Sequence, residues 1–304
     1  MKLFIAPLIL CLFFIPPVSS QHLETKVDTL MFYADVLVSS RLDKHRQFGA
    51  ENFENIFVDI LNKGSESFDD LKDLPVLSVK VDPDSTFALY TWQLIVNNGS
   101  DFHYFGYIQS LKDEFEPIRL VDRMHSGRVD EYATFLPDHW PGAFYYNIKP
   151  FILPDGNQAF LLFGINGKSR FNRLRVMDVL YKDGDRFLFG LPVFGEEPEG
   201  IQRSGKTRIL MEYSYDAPIY LNFDPEYELI VFNQVDRKEG IHPGQGMTGI
   251  PTGEYHGYEY QDGLWIYVPE VVRERSVPEV SPPSPPARDR PRRDLFGRPQ
   301  NNRN

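Results

Sequence analysis

Apolar residues recur at intervals of three and four in two segments near the start of the chain. They are Leu23, Val27, Leu30, Met31, Ala34, Leu37 and Val38 in the first segment, and Phe53, Ile56, Phe57, Ile60 and Leu61 in the second. This spacing places each set on one face of a helix. Gly64 then occupies the position of a glycine that ends a helix. The pattern predicts a helical pair within residues 21–74 that packs through these faces on the rest of the chain.

From residue 75 onward, the pattern changes to runs of alternating or aromatic residues separated by turn dipeptides. These dipeptides are Asn98-Gly99, Asp155-Gly156, Asn166-Gly167, Asp183-Gly184 and Asp262-Gly263. Each is a strong hairpin signal, because Asn-Gly and Asp-Gly tolerate positive φ at both central positions of a type I′ turn. We therefore predict a mainly β fold, an antiparallel meander over residues 75–272. The pattern leaves open whether it is a sandwich, an open barrel or propeller-like.

The last hairpin can be predicted residue by residue if Asp262-Gly263 is a two-residue turn. The expected pairs are Gln261 with Leu264, Tyr260 with Trp265, Glu259 with Ile266, and Tyr258 with Tyr267. Residues two apart share a face, so the aromatic residues of these pairs form one patch. They are Tyr258, Tyr260, Trp265 and Tyr267. The patch either closes the β body against its core or serves as an exposed stacking platform for a sugar or peptide.

The start of the chain has the layout of a secretory signal peptide. Residues 1–20 contain a lysine, an apolar run over residues 3–15 and small residues before a cut. The run is shorter than the roughly 20 residues that span a bilayer, so we expect a mature exported chain without a transmembrane segment. A lipoprotein signal at Cys11 is the alternative, against which the large Leu10 argues. Removal of the only cysteine excludes disulfides, zinc–thiolate sites and a cysteine nucleophile.

The end of the chain differs from the body in charge and composition. Residues 273–304 carry seven prolines, and eight arginines against four acidic residues. With few apolar residues to bury, this segment is predicted to be a disordered tail that can bind an anionic polymer or lipid. The whole chain has a net charge of −11, so the body is more acidic still. That charge argues against nucleic acid as a partner.

Sequence motifs for catalysis or metal binding are missing. None of the seven histidines pairs with another at zinc-ligand spacing, and no Gly-x-Ser-x-Gly sequence occurs. The glycine-rich stretch 242–249 lacks the lysine of a phosphate-binding loop, and we interpret it as a surface loop or a ligand lid. We therefore predict no metal and no cofactor, and catalytic residues stay unknown.

One loop combines residue types that a sugar-binding turn uses. Asp138, His139 and Trp140 lie between Pro137 and Pro141. Alternatively, this is a rigid structural loop with Trp140 packed as an anchor. We take these residues, together with the aromatic patch of the last hairpin, as the candidate ligand-binding residues.

Two carboxylates, Asp178 and Glu212, lie in strands that are otherwise apolar or aromatic. A carboxylate that points into a core is costly unless it is paired, so an inward one is either functional or salt-bridged. The candidate partners are Arg173, Arg175 and Arg208. By strand alternation, each carboxylate can instead point to solvent.

Residues 155–270 carry a resemblance to a known group of proteins. The stretches concerned are 159–167, 176–180, 208–214, 221–224, 230–232, 255–258 and 264–267. Together they resemble an uncharacterised group of exported proteins from Bacteroidetes. The group has no established activity, so the resemblance implies a Gram-negative envelope or secreted location and no particular chemistry.

These patterns favour an exported, periplasmic or secreted protein that binds a ligand or an envelope partner without catalysing a reaction. The alternative is a carbohydrate-active hydrolase, which requires an Asp/Glu pair about 5 to 10 Å apart in a cleft. A structural protein that associates with lipid or a surface is a third possibility. The sequence leaves open whether the protein is an enzyme.

Overall fold

The computed structural model describes a mainly β protein with two N-terminal helices. The residues that it describes are 25–63, 71–72, 74–112, 116–123, 129–195 and 204–271. The predicted signal peptide, the predicted tail and Gly64 lie outside them. The mainly β fold class with a helical pair at its start is confirmed.

The helical pair consists of α1 (Lys26–Ser39) and α2 (Asp43–Lys63). Thr25 begins α1 with a capping box, in which its side chain accepts from the Asp28 N–H and the Asp28 carboxylate accepts from the Thr25 N–H. The helices approach closely at Gly49, where a Cβ would lie 2.8 Å from the backbone nitrogen of Leu37. Among the described residues, neither helix combines the length and hydropathy that crossing a bilayer requires.

The predicted apolar faces are only partly buried. The buried members are Leu30, Ala34, Leu37, Phe53, Phe57, Ile60 and Leu61. Met31 and Val38 are instead 49% and 55% exposed, so the prediction that they pack on the body was wrong. Each follows a buried residue by one position, which turns it about 100° away from the sheet.

Within the described residues, fifteen strands follow the helices. They are β1 (Ser78–Val81), β2 (Phe87–Val96), β3 (Asp101–Ser110), β4 (Ile118–Val121), β5 (Phe144–Ile152), β6 (Gln158–Asn166), β7 (Asn172–Asp183), β8 (Arg186–Phe189), β9 (Phe194–Gly195), β10 (Ser204–Lys206), β11 (Ile209–Ser214), β12 (Leu221–Asp224), β13 (Leu229–Glu239), β14 (Met247–Gln261) and β15 (Leu264–Val268). Sheet 1 has the order β1-β2-β3-β4. Sheet 2 has the order β11-β7-β6-β5, with β8 paired to β7, and sheet 3 the order β10-β9-β15-β14-β13-β12. In the described residues the paired strands run antiparallel, except β9 and β15, which are parallel.

The three sheets stack face to face beneath the helices. Tyr90 and Trp92 of β2 pack against the helices, whereas Phe87 and Leu89 of the same strand pack against sheet 2. In the same way, β6 alternates between the core shared with sheet 1 and the core shared with sheet 3. Sheet 2 is therefore buried on both faces, which explains its nearly continuous apolar strands. Of the arrangements left open by the sequence, the structure is a layered sandwich.

The predicted hairpins all form, with turns of different lengths. Asp262 and Gly263 have φ values of 48° and 91°, and the four residue pairs predicted for this hairpin are confirmed. The turn at Asn98-Gly99 is longer, since Val96 pairs with Asp101. The remaining three dipeptides also lie between antiparallel neighbours.

Candidate functional site

A cleft of about 850 Å³ is lined by residues from all three sheets. Its carboxylates are Asp101, Asp122, Glu131 and Glu212, and its cations are Lys168 and Arg237. Its apolar wall includes Phe102, Leu174, Met211 and Val235. The cleft thus combines an acidic, partly charge-compensated lining with an apolar surface. Its volume falls in the range of small-molecule sites, roughly 300 to 1,000 Å³.

Glu212 is the carboxylate of this cleft that the sequence singled out. Its Oε2 atom lies 2.6 Å from Lys168 Nζ, and its Oε1 atom accepts from Asn172 Nδ2 at 3.1 Å. The side chain is 18% exposed, so it neither enters the core nor projects freely into solvent. Its partner is a lysine from the β6–β7 loop instead of one of the suggested arginines.

Lys168 is held in place by hydrogen bonds between its own loop and residues of β3, β6 and β7. Its backbone has a φ of 38°, a left-handed conformation that a lysine rarely adopts. The Lys168 N–H donates to Asn166 Oδ1 at 2.8 Å, and the Gly167 N–H donates to the Tyr104 hydroxyl at 2.5 Å. Arg173 donates to the Gly167 carbonyl at 3.1 Å. The neighbours therefore maintain a strained backbone beside the cleft, a feature that often marks functional sites.

Asp122 enters the cleft just after β4. Its Oδ2 atom accepts from the Tyr104 N–H at 3.1 Å. Gly142 allows this placement, because a Cβ there would lie 2.3 Å from Asp122 Oδ1. Gly142 also has a φ of 56°, which favours glycine at this position.

Glu131 lies in a segment of the cleft wall that the buried Arg208 holds in place by hydrogen bonds. Its Oε1 atom accepts from the Leu210 N–H at 3.2 Å and lies 3.6 Å from Lys206 Nζ. Arg208 donates to the carbonyls of Asp130 and Ala133, both at 2.7 Å. The backbone on either side of Glu131 is thereby fixed.

Arg208 also pairs with Asp178, the second carboxylate that the sequence singled out. Their Nε and Oδ2 atoms are 3.3 Å apart, and both side chains are fully buried. Burial raises the pKa of Asp178, while attraction by Arg208 and a hydrogen bond from the Val179 N–H oppose this rise. Asp178 is thus salt-bridged to one of the suggested arginines, and it does not line the cleft.

The loop with Asp138, His139 and Trp140 does not form a common binding surface. Asp138 and His139 are exposed and pair with each other at 2.9 Å, and this hydrogen bond lowers the pKa of Asp138. Trp140 is fully buried, and its Nε1 donates to the Tyr145 hydroxyl at 3.1 Å. Trp140 therefore packs as an anchor, and none of the three residues lines the cleft.

The aromatic patch of the last hairpin is part of the core between sheets 2 and 3. Trp265 is 2% exposed, and its ring lies edge-on to Phe151 with centroids 5.7 Å apart. Tyr258 is also buried, while Tyr260 and Tyr267 are half-buried against the same core. Trp265 consequently offers no exposed stacking surface.

The glycine-rich stretch next to the cleft is anchored by Gln245. Its Nε2 atom donates to Ser214 Oγ and to Asn172 Oδ1, both at 3.0 Å. His242 stacks on Phe171 with centroids 4.5 Å apart and hydrogen-bonds Asp216 at 2.6 Å. Because Asn172 also contacts Glu212, this loop is connected to the cleft wall by hydrogen bonds.

Most of the cleft carries no local sequence signal. Asp101, Asp122, Glu131, Lys168 and Arg237 come from separate segments, and no short motif includes any two of them. Within the described ranges, no three His, Cys, Asp or Glu side chains are grouped as a metal site requires. Comparison with protein-family models, curated proteins and solved structures found no match to this chain.

Proposed function

We propose that the protein is an exported binding protein whose cleft takes a saccharide-sized ligand with hydroxyl and amine groups. The observation that carries the proposal is the cleft itself, an 850 Å³ space with fixed carboxylates and cations beside an apolar wall. Export rests on the pattern of residues 1–20 and on the resemblance described above. The binding function rests on the cleft alone.

The ligand class follows from the groups that line the cleft. Carboxylates accept hydrogen bonds from hydroxyl and ammonium groups, and Lys168 and Arg237 donate to ligand oxygens. Four acidic residues against two basic ones favour a ligand with some positive charge. The apolar wall suits the carbon face of a ring. An amino sugar combines these properties.

A binding comparison with three sets of short oligosaccharides tests this proposal by titration calorimetry. Glucosamine oligomers carry amines, N-acetylglucosamine oligomers are neutral, and glucuronate-containing oligomers are acidic. We expect affinity to fall in that order. Failure of all three to bind, or tightest binding of the acidic set, would contradict the proposal.

A matched pair of variants assigns the binding to the cleft. Glu212→Gln removes one charge from the wall and should weaken the glucosamine oligomers about tenfold, as expected for a lost hydrogen bond to a charged group. Glu259→Gln makes the same change on an exposed part of β14, away from the cleft, and should leave affinity unchanged. Equal affinities in the two variants would show that the oligomers bind outside the cleft.

The second candidate function is a carbohydrate-active hydrolase, favoured by the presence of four carboxylates in one cleft. A hydrolase needs one group to protonate the leaving oxygen and another to act as base or nucleophile. Incubation of the same oligosaccharides with the protein, followed by chromatography, separates the two functions. Shortened products that disappear in Glu212→Gln would favour the hydrolase, whereas unchanged ligand would favour the binding protein.

A further inference from the structure

The helical pair and the loop between its helices expose several large apolar side chains. Met31, Phe32, Val38, Leu42 and Phe48 each expose about half of their surface. The other exposed large apolar residues in the described part of the chain are distributed over separate elements. Clusters of this kind on a surface mark interaction sites more often than single exposed residues do.

The charges around this cluster are basic where the helices meet. We call residues 38–48, where α1 ends and α2 begins, the hairpin tip, after the helical hairpin that the two helices form. Arg41, Lys44 and His45 are all exposed there: Arg41 precedes Leu42 in the loop, and Lys44 and His45 lie about one helical turn before Phe48 in α2. The one acidic residue of the tip, Asp43, accepts from the Asn97 N–H at 2.9 Å and therefore faces sheet 1. The exposed surface of the tip is therefore cationic and apolar, although the chain as a whole has a net charge of −11.

The hairpin tip is fixed to the body and does not hang free. Arg46 donates to the Ser40 carbonyl at 2.7 Å and to the Ile95 carbonyl of β2 at 2.9 Å. Gly49 then allows the close approach of α1 described above. A fixed surface loses little conformational freedom on binding, which favours association.

A narrow apolar groove of about 240 Å³ continues from the tip beneath α1. It is lined by Leu37, Val38, Pro75, Val76, Ile95 and Phe144. Gln93 and the cation Arg46 are its polar residues. The groove shares Val38 and Arg46 with the tip, so it adjoins the tip at these two residues. An apolar channel beside cationic groups matches an acyl chain below an anionic headgroup.

We propose that the hairpin tip docks on an anionic lipid bilayer. Leu42 and Phe48 enter the interface between headgroups and acyl chains, and Arg41 and Lys44 contact the lipid phosphates. The adjoining groove favours lipid over a protein partner, because its lining is mostly apolar and offers few hydrogen-bonding groups. This surface is separate from the cleft, so the proposal stands independently of the proposed function.

An indole introduced at position 48 locates the contact directly. Trp92, Trp140 and Trp265 are the three tryptophans of the chain, and none exposes more than 2% of its surface. In Phe48→Trp, brominated phosphatidylglycerol vesicles should therefore quench mainly the fluorescence of the new indole. Vesicles of equally brominated phosphatidylcholine should not quench it. Ile241→Trp, at a residue that is 80% exposed on another loop, is the matched control and should show no quenching. Equal quenching in both variants, or none at position 48, would overturn the proposal.

A second pair of variants measures the contribution of the tip to binding. Leu42→Ser with Phe48→Ser should lower partition into phosphatidylglycerol vesicles about tenfold or more, because two apolar side chains are no longer buried. Ile152→Ser with Ile241→Ser removes two exposed apolar residues elsewhere and should have no effect. All variants keep the full chain, so any contribution from its terminal segments is the same in each.

The charge-only variant Arg41→Gln with Lys44→Gln keeps the apolar surface and provides an independent measurement. It should weaken binding to phosphatidylglycerol vesicles and reduce the dependence of that binding on salt. Sedimentation velocity without vesicles tests the competing occupant, a second copy of the chain. A dimer that the two serine substitutions abolish, or unchanged vesicle binding in both tip variants, would contradict lipid docking.

Discussion

Arg208 shows at the residue scale how one buried side chain supports the cleft. It forms an ion pair with Asp178 and donates hydrogen bonds to the carbonyls of Asp130, Ala133 and Phe189. Its guanidinium thus joins sheet 2 to the segment that carries Glu131. A lysine could not replace it, because a guanidinium presents several donors in one plane.

Loss of this arginine should destabilise the protein strongly. Arg208→Met leaves Asp178 buried without its partner, and breaking such a pair costs roughly 3 to 5 kcal/mol of the free energy of unfolding. Arg186→Met removes an exposed arginine paired with Asp183, which should cost about 1 kcal/mol or less. Urea denaturation measures both. The double variant Asp178→Leu with Arg208→Met should recover only part of the loss, because the carbonyls of Asp130, Ala133 and Phe189 each still lose a hydrogen bond from the guanidinium.

Buried tyrosines should make the protein sensitive to alkali. Burial raises the pKa of Tyr146 from 10.0 to about 12, and it raises the pKa values of Tyr104, Tyr107 and Tyr145 as well. The unfolded chain releases these protons above pH 10 while the folded protein keeps them. The stabilisation is therefore complete below pH 10 and is lost as pH rises towards the folded pKa values.

The variant Tyr146→Phe isolates one of these groups. It should flatten the decline of the free energy of unfolding between pH 10 and 12 by roughly 2 kcal/mol, which corresponds to the shift of its pKa. Denaturation at pH 8, 10 and 12 provides the comparison. A decline of unchanged steepness in the variant would show that Tyr146 does not contribute.

At the scale of elements, the last hairpin packs its aromatic face into the core between sheets 2 and 3. Its two-residue turn, its pairs and its aromatic face all follow from Asp262-Gly263 and the alternation of side chains. Local chemistry determined this element because the turn type fixes the register. The helices were less well predicted, since the width of a buried helical face depends on what packs against it.

Truncation of Trp265 tests the role of this hairpin. Trp265→Ala removes a fully packed ring and should cost about 3 to 5 kcal/mol in the free energy of unfolding. The half-buried Tyr267 on the same face provides a comparison, and Tyr267→Ala should cost less. Thermal and urea denaturation measure both changes. A stable Trp265→Ala protein would mean that the ring is not part of the core.

At the scale of the whole molecule, we propose that the chain is exported and that the mature protein begins at Gln21 or His22. The apolar run ends at Ile15, and the small residues that follow suit cleavage near Ser20. Mass spectrometry of the protein recovered from the envelope or medium checks this expectation. An intact Met1, or a lipid attached to Cys11, would contradict it.

The sequence by itself determined the β class, the helical pair, the hairpins and the register of the last one. These features depend on periodicity and turn chemistry within a few residues. Only the tertiary structure decided that the sheets stack in layers, that Trp140 and Trp265 are buried, and that Asp101, Asp122, Glu131 and Glu212 line one cleft. The physical reason is that a cleft between sheets is built by contacts distant in sequence, which local patterns do not encode.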